Sequence, residues 1–325
     1  MEKIKINLDK NTISKLNNDM ILFRFFKENK QVNKNGFLNT LLYNYFPIYD
    51  AIASKSIAKY NKIISSHISN QEQSQKIINS LISKDDLFSF NKKDYLESSL
   101  SFKPSNLNKK IINIIIDKYT SNQSISSFFR NMLKHYLQLP QYKREQIIYA
   151  NNYSLIQEAI ESKRKIVLYI NENKVIVSPF KITTNNEELY NYLVCLTNEE
   201  RKNIMSIHLY KIDYIYFLQE SVYFDELDKN KLEKVVNSNP QFPHYNDKNT
   251  IIELNKCGIK MFENKYLNRP SPYKIENNRY YFDCSYNQIV VYFFPFAKNA
   301  KIIEPLELKE TLKKMYLEAY NNYIE

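Results

Sequence analysis

The chain opens on strict alternation. In the run Lys3-Ile-Lys-Ile-Asn-Leu8, Ile4, Ile6 and Leu8 point one way and Lys3, Lys5 and Asn7 the other, the period of a strand with one buried face. The period then lengthens. Ile13, Leu16, Met20 and Phe23 recur at helical spacing and predict an amphipathic helix over about 11–27. A polar break over 28–36 leads to a second helix over 37–45, which Pro47 is expected to end, because proline removes an amide donor and clashes with the preceding turn. The same order returns from residue 99. Ser99-Leu-Ser-Phe-Lys103 alternates, and a helix over 106–119 carries an apolar stripe at Leu107, Ile111, Ile114 and Ile115. A polar turn over 120–124 precedes a second helix over 126–137, with Ser124 and Ser126 as N-cap candidates and Pro140 beyond its end. Between the repeats, 48–69 and 71–83 read as two further helices, and 141–152 as a connector, helical over 144–150.

From Ser154 the pattern changes. A short helix over 155–160 and a basic cluster, Lys163-Arg164-Lys165, precede β-branched and aromatic runs at 166–170, 174–178, 189–196, 204–209 and 214–219. A helix followed by five short strands suits a small, strongly bent Sm-like or SH3-like β-barrel. Residues 237–249, with Pro240 and Pro243, read as a linker that lets the last part swing. Beyond it, 250–267 reads as a strand then a helix, 280–283 and 288–295 as two strands, and the remainder as a turn and a long closing helix. The aromatic run Tyr292, Phe293, Phe294 and Phe296 is expected in the core. The predicted class is α+β, with a helical domain over 1–150, a barrel domain over 151–236 and an α+β domain over 250–325.

Charge sharpens this division. Residues 1–150 carry 23 Lys and Arg against 12 Asp and Glu, and residues 151–325 carry 23 against 23, so the whole excess of +11 lies in the first half. A concentrated positive field favours polyanions. With only Gly36 and Gly258, no glycine-rich phosphate loop can be written. Three scattered cysteines, Cys195, Cys257 and Cys284, suggest neither a disulfide framework nor a zinc site, and imply a cytoplasmic protein. No signal peptide or membrane span is expected. The histidines His67, His135, His208 and His244 fall in different segments, and Asp85-Asp86 reads as a helix-terminal pair. No nucleophile–base pair, metal spacing or paired carboxylate stands out, so no enzymatic activity, cofactor or metal is expected.

Strand, helix, turn, helix in the first 47 residues resembles the ribbon-helix-helix family, in which two strands pair and their outward side chains enter a DNA groove. The resemblance implies groove-facing roles for Lys3, Lys5 and Asn7, and for Ser101 and Lys103 if the region after residue 99 is a second copy. The ribbon would then pair either within one chain or across a dimer. The start of the second helix, near Asn33 and Asn35, would meet a phosphate.

The order AIESKRKIVLYI, VSPFKI, NYLVCL and IHLYKIDYIYFL resembles the WYL domain. Tyr169 stands at the family's tyrosine ending the first strand, Pro179 at its proline, and Tyr192-Leu193 at two letters of its name, with Asn191 in place of tryptophan. His208 and Lys211 stand where the family has arginines; lysine offers a phosphate a point charge in place of a planar fork. The resemblance implies a binding face for nucleic acids or nucleotides built from Tyr169, Lys181, Tyr192, His208 and Lys211, with Arg164 and Lys165 nearby. Residues 250–325 resemble the extension that follows many WYL domains and often mediates self-association, with Ala297 in place of its glycine. The three parts together are similar to the WYL accessory proteins of type VI-D CRISPR systems. That similarity implies a homodimer that binds single-stranded RNA and stimulates an RNA-guided RNase. A transcriptional regulator, reading duplex DNA with its ribbon and sensing a nucleotide or nucleic-acid ligand (single-stranded DNA included) with its WYL domain, is the alternative. A third reading is a scaffold whose basic half docks on an acidic protein partner.

Overall fold

The two alternating runs pair with each other. In the computed structural model, strand β1 (Ile4–Leu8) lies antiparallel to β2 (Ser98–Phe102), with Lys5 opposite Ser101 and Asn7 opposite Ser99. Ile4, Ile6, Leu8, Leu100 and Phe102 are buried, while Lys3, Lys5, Asn7, Ser99 and Ser101 are exposed. The two-stranded ribbon is thus built within one chain. The structure describes residues 2–68, 70–82, 98–120, 123–185, 189–197, 203–237, 239–243 and 249–324. Asp85, Asp86 and His244 lie outside the described residues. The chain divides into two units, Met1–Tyr153 and Ser154–Glu325.

In the first unit, β1 feeds α1 (Lys10–Leu22), capped by Asp9, whose carboxylate accepts from the Thr12 N–H and hydroxyl. Helix α2 (Lys34–Ser65) runs straight through Pro47, so the helices expected over 37–45 and 48–69 are one element. Pro47 and Tyr43, whose carbonyl loses its amide partner, are both exposed, and that carbonyl faces water. On the other side Tyr45, Phe46, Tyr49 and Ala53 continue one buried face past the proline. Helix α3 (Gln71–Ile82) follows. After β2 come α4 (Asn106–Tyr119), α5 (Ile125–Gln138) and α6 (Gln141–Ile148), and α7 (Ala150–Glu161) runs across the boundary into the second unit.

The buried face of α4 is Asn108, Ile112, Ile115 and Tyr119, with Ile111 packed beside it; of the expected stripe Ile111 and Ile115 face the core, whereas Leu107 is 71% exposed and Ile114 is exposed too. Isoleucines at 111, 112, 114, 115 and 116 leave the helical phase undetermined by hydrophobicity alone. Polar anchors fix it: Asn108 Nδ2 donates to the Asn39 carbonyl at 2.8 Å, and the Tyr119 hydroxyl to Asp50 at 2.7 Å.

The two strand-helix-helix copies exchange elements. The Asn7 N–H donates to Ser126 Oγ at 3.0 Å, and Arg130 Nε to the Asn7 carbonyl at 2.8 Å, so α5 of the second copy holds β1 of the first. Reciprocally, α2 holds the end of β2: Asn35 Oδ1 accepts from the Lys103 N–H at 2.7 Å, and Asn39 Nδ2 donates to the Lys103 carbonyl. Ser126 therefore serves the ribbon, and Ser124 alone caps α5. A buried ion pair locks the frame behind: Arg144 of α6 donates Nε and an NH2 group to the two oxygens of Asp19, which is 1% exposed.

The second unit contains a five-stranded antiparallel sheet of β3 (Arg164–Ile170), β4 (Asn173–Thr184), β5 (Asn191–Thr197), β6 (Ile204–His208) and β7 (Tyr214–Ser221), in the order β6-β5-β4-β3-β7. Strand β4 is one long element where a short strand over 174–178 was expected. A register shift between Pro179 and Lys181 breaks it, at the residue that has no amide to give the ladder. Every described residue of β5 is buried, because Leu232 and Val235 of α8 (Glu226–Asn237) pack with Val194, Leu196 and Ile204 on one face.

A second sheet follows, in the order β11-β8-β10-β9, from β8 (Thr250–Leu254), β9 (Pro272–Glu276), β10 (Arg279–Phe282) and β11 (Ala300–Glu304). Helices α9 (Lys256–Asn264), α10 (Tyr286–Phe293) and α11 (Leu306–Asn321) cover it. The run expected as a strand over 288–295 is instead helix α10. Ser285 caps it by accepting from the Gln288 N–H at 3.1 Å, and Ile289, Tyr292 and Phe293 recur at helical spacing into the core. Phe296 is buried with them and Phe294 stacks on Tyr316, so the aromatic run is core. Ala297 adopts φ 49° and ψ −123°, a conformation that suits a residue without Cβ. In the expected linker, Pro240 and Phe242 are buried and Gln241 Nε2 donates to Asn268 Oδ1 at 3.3 Å, anchoring that segment to the last sheet's loops.

The architecture is α+β, with three small antiparallel sheets among the described residues. No described helix is long and apolar enough to cross a membrane.

Candidate nucleic-acid interface

One short turn organises the end of the five-stranded sheet. Thr183 of β4, Tyr192 of β5 and His208 of β6 stand in a row across three strands. The His208 ring lies 4.4 Å from Tyr192, 4.8 Å from Tyr210 and 5.4 Å from Tyr190, and Tyr190 lies 5.3 Å from Tyr210. Tyr192 is fully buried, whereas Tyr190, His208 and Tyr210 are half-buried. The result is a graded stack: one ring in the core, three reaching outward from it. A 3-10 turn, Leu209–Lys211, then carries the chain to β7. Leu209 and Ile212 are buried and pin it, which leaves Tyr210 and Lys211 on its outer side. At its far end the Asp213 N–H donates to the Tyr169 carbonyl at 2.8 Å, and the Asp213 carboxylate accepts from the Asn171 N–H at 2.9 Å. The turn therefore links the Tyr192–His208 pair to the end of β3, where Tyr169 sits.

Tyr169 packs edge-on against Tyr216 at 5.7 Å and stands opposite Tyr214 in the ladder. Tyr214 is 65% exposed and Tyr216 57%, so two ring faces are open to solvent on the edge strand β7. An exposed ring face suits base stacking, which tolerates any sequence. Lys211 is half-buried and Lys181 exposed, the latter past the bulge in β4. Arg164 and Lys165 are at the other end of β3 from Tyr169. Arg164 lies over the Phe217 ring at 5.0 Å and donates to the Leu218 carbonyl; Lys165 is paired with Glu220 at 2.6 Å. Their charge is engaged within the sheet itself.

The structure brings the expected Tyr169, Tyr192, His208 and Lys211 around one turn, with Tyr192 buried in the core and no ring face left for a base, and places Tyr190, Tyr210, Tyr214 and Tyr216, which the sequence reading did not name, beside them. The alternation Tyr214-Ile-Tyr216-Phe was a visible signal for the last two. Tyr190 and Tyr210 had none, since they join the site only through contacts across strands.

The ribbon forms a second polar surface, in the other unit. Lys3, Lys5, Asn7, Ser99 and Ser101 line its exposed face, with Lys103 just past the end of β2. At the start of α2, Asn33 Oδ1 accepts from the Gly36 N–H at 2.9 Å, and Asn35 Oδ1 is occupied by the Lys103 amide. Asn33 itself therefore caps the turn that was expected to meet a phosphate.

No protein-family model matches the sequence, and no curated protein matches it either. Among solved structures, a crystal structure described as that of a CRISPR Cas-related protein superposes with a TM-score of 0.68 at 20% identity, covering 100% of this chain and 95% of that one. The chain shares that fold from end to end. The proteasome accessory factor PafBC of Arthrobacter aurescens overlaps at a TM-score of 0.27 and 12% identity, over 71% of this chain and 40% of that one.

Proposed function

We propose that this chain is a non-catalytic, WYL-type nucleic-acid-binding protein that holds single-stranded RNA at the end of an Sm-like barrel. The observation that carries the reading is the ring system around Leu209–Lys211. Tyr190 and Tyr210 flank His208, Lys211 follows on the same turn, and Tyr214 and Tyr216 expose their faces beyond it. Rings grip unpaired bases by stacking, and neighbouring cations hold the backbone. A duplex hides its base faces and offers this surface nothing to stack on. The shared fold with a CRISPR Cas-related protein supports the role implied by the resemblance: an accessory that acts as a homodimer and stimulates a type VI-D RNA-guided RNase.

Fluorescence anisotropy with a single-stranded RNA and a DNA duplex of equal length tests the binding part. Tighter binding of the RNA, weakened by Lys211→Ala combined with Tyr210→Ala, is the expected result; unchanged affinity in that variant contradicts it. Addition of the chain to the RNA-guided RNase tests the accessory part, and an unaltered cleavage rate contradicts it.

The intrachain ribbon supports a second reading, a regulator of transcription. Its outward Lys3, Lys5 and Asn7 face the same way as Ser99 and Ser101, so one chain presents a two-stranded surface of the width that a major groove admits. The two strands differ in sequence, so a site selected from random duplexes should lack two-fold symmetry. Selection that enriches no sequence argues against this reading.

A further inference from the structure

The second unit holds a polar cleft separate from the barrel-end turn. It lies between the end of α8, with the segment after it, and the loops of the last sheet, and has a volume of about 440 Å³. That is within the range of small-molecule sites, about 300–1,000 Å³. Its walls include Lys234, Asn239, Arg269, Asp283, Ser285 and Gln288.

Arg269 is the informative residue. Its guanidinium lies 4.6 Å over the Tyr266 ring and 5.6 Å over the Phe262 ring, and one N–H donates to the Phe262 carbonyl at a long 3.3 Å. Those contacts fix the plane of the fork without neutralising its charge. Among the described residues no carboxylate forms an ion pair with it. Glu263 lines an adjoining cleft of about 300 Å³, which Arg269 also borders, but is not within ion-pair distance. Asp283, the carboxylate inside the larger cleft, is bound to Lys234. Among the described residues that line the cleft, two cations, Lys234 and Arg269, stand with one carboxylate, Asp283. An arginine has five donors, and four remain for a ligand.

Two further features point the same way. Helix α10 begins at the cleft wall, at its cap Ser285, so the positive end of its dipole is there. Burial pushes the Cys284 thiol up to about 12, so it adds no competing negative charge at neutral pH. Phe242 supplies an apolar patch on the same wall.

We propose that this cleft binds a small phosphate-bearing molecule of the mononucleotide class, its phosphate forked by Arg269 and its remainder against Phe242. A planar fork held flat between rings meets two phosphate oxygens at once. The site is distinct from the barrel-end turn and does not depend on the polymer-binding reading.

Isothermal titration of the full chain at low ionic strength, with AMP, inorganic phosphate and adenosine in separate runs, tests this. AMP is expected to saturate, inorganic phosphate to bind more weakly, and adenosine not to bind. Arg269→Gln should lower AMP affinity about tenfold or more, the contribution of a hydrogen bond to a charged group. Ser271→Glu places a carboxylate beside Arg269 without removing its ring contacts, and should block AMP as well; it decides the matter if circular dichroism shows that Arg269→Gln is misfolded. The combined Tyr210→Ala and Lys211→Ala variant should bind AMP as the parent does. No saturable AMP binding in the millimolar range, equal binding of adenosine, full AMP affinity in Ser271→Glu, or loss in the Tyr210/Lys211 variant would overturn the proposal.

Discussion

The ribbon and the turn end of the five-stranded sheet offer a polyanion different physics. On the ribbon, an apolar face is fully buried and the opposite face carries point charges on flexible stems, Lys3 and Lys5, with short polar groups between them. At the turn end of the sheet, rings are partly buried against one another, and one of them, Tyr192, is inside the core. Lysines on a ribbon give affinity that falls steeply with salt, because each phosphate contact releases counterions. A stacked ring adds affinity without releasing counterions, so its own contribution carries little salt dependence. Under the proposed function, one surface of the molecule takes a duplex and the other takes unpaired bases.

The comparison can be broken hardest at the frame behind the ribbon. Asp19→Ala leaves the Arg144 guanidinium buried without its partner, at a cost of ~3–5 kcal/mol. Hydrogen exchange should show β1 and β2 amides losing protection while β5 amides keep theirs. Equal loss in both would mean that the two surfaces share one cooperative unit.

Next in size is the stacking effect. Tyr210→Ala removes an outer ring, and should cost ~1–3 kcal/mol of single-strand affinity with little change in stability. The slope of log affinity against log salt should stay where it was. A slope that changes with affinity would mean that the phosphate backbone, not the bases, is held there.

A stability test of similar scale sits in the last sheet. Ala297 at φ 49° holds its Cβ in a strained conformation, so Ala297→Gly should stabilise the second unit by ~1 kcal/mol, after the greater unfolded-state freedom of glycine is subtracted. A lower urea midpoint would show that the Cβ is relieved by its packing. The opposite holds at Gly258, where an added Cβ would lie 2.2 Å from the Asn299 carbonyl oxygen.

The smallest effect belongs to the ribbon. Lys3→Ala with Lys5→Ala should weaken duplex binding nearly uniformly across sequences and reduce the salt slope by about 0.9 for each phosphate that is no longer neutralised. Single-strand affinity should hold. If single-strand binding falls equally, the ribbon belongs to the RNA surface.

How legible each surface was follows from the same contrast. The faces of the ribbon are written locally, because a period of two names them, although the pairing of β1 with β2 and the partners of Asn7 and Lys103 on α5 and α2 are distant in sequence. The turn end of the sheet is assembled from β3, β5, β6 and the turn after it, and no periodicity marks which rings converge. Only the family resemblance pointed to Tyr169, Tyr192, His208 and Lys211. Pattern misled where two signals competed. Proline was read as a helix end at 47, yet the buried face continued through Tyr49 and Ala53. Aromatic and β-branched residues were read as a strand at 288–295, yet the cap at Ser285 and the spacing of Ile289, Tyr292 and Phe293 made a helix. In α4 the isoleucines outnumbered the phases available to them, and Asn108 and Tyr119 chose.

The most direct test of the central claim is photocrosslinking of the full chain to a single-stranded RNA, with the adducts located by mass spectrometry. The account predicts adducts on Tyr190, Tyr210, Tyr214 or Tyr216, around the Leu209–Lys211 turn. Adducts confined to the ribbon between Lys3 and Asn7 and between Ser99 and Lys103, with none on those tyrosines, would contradict it.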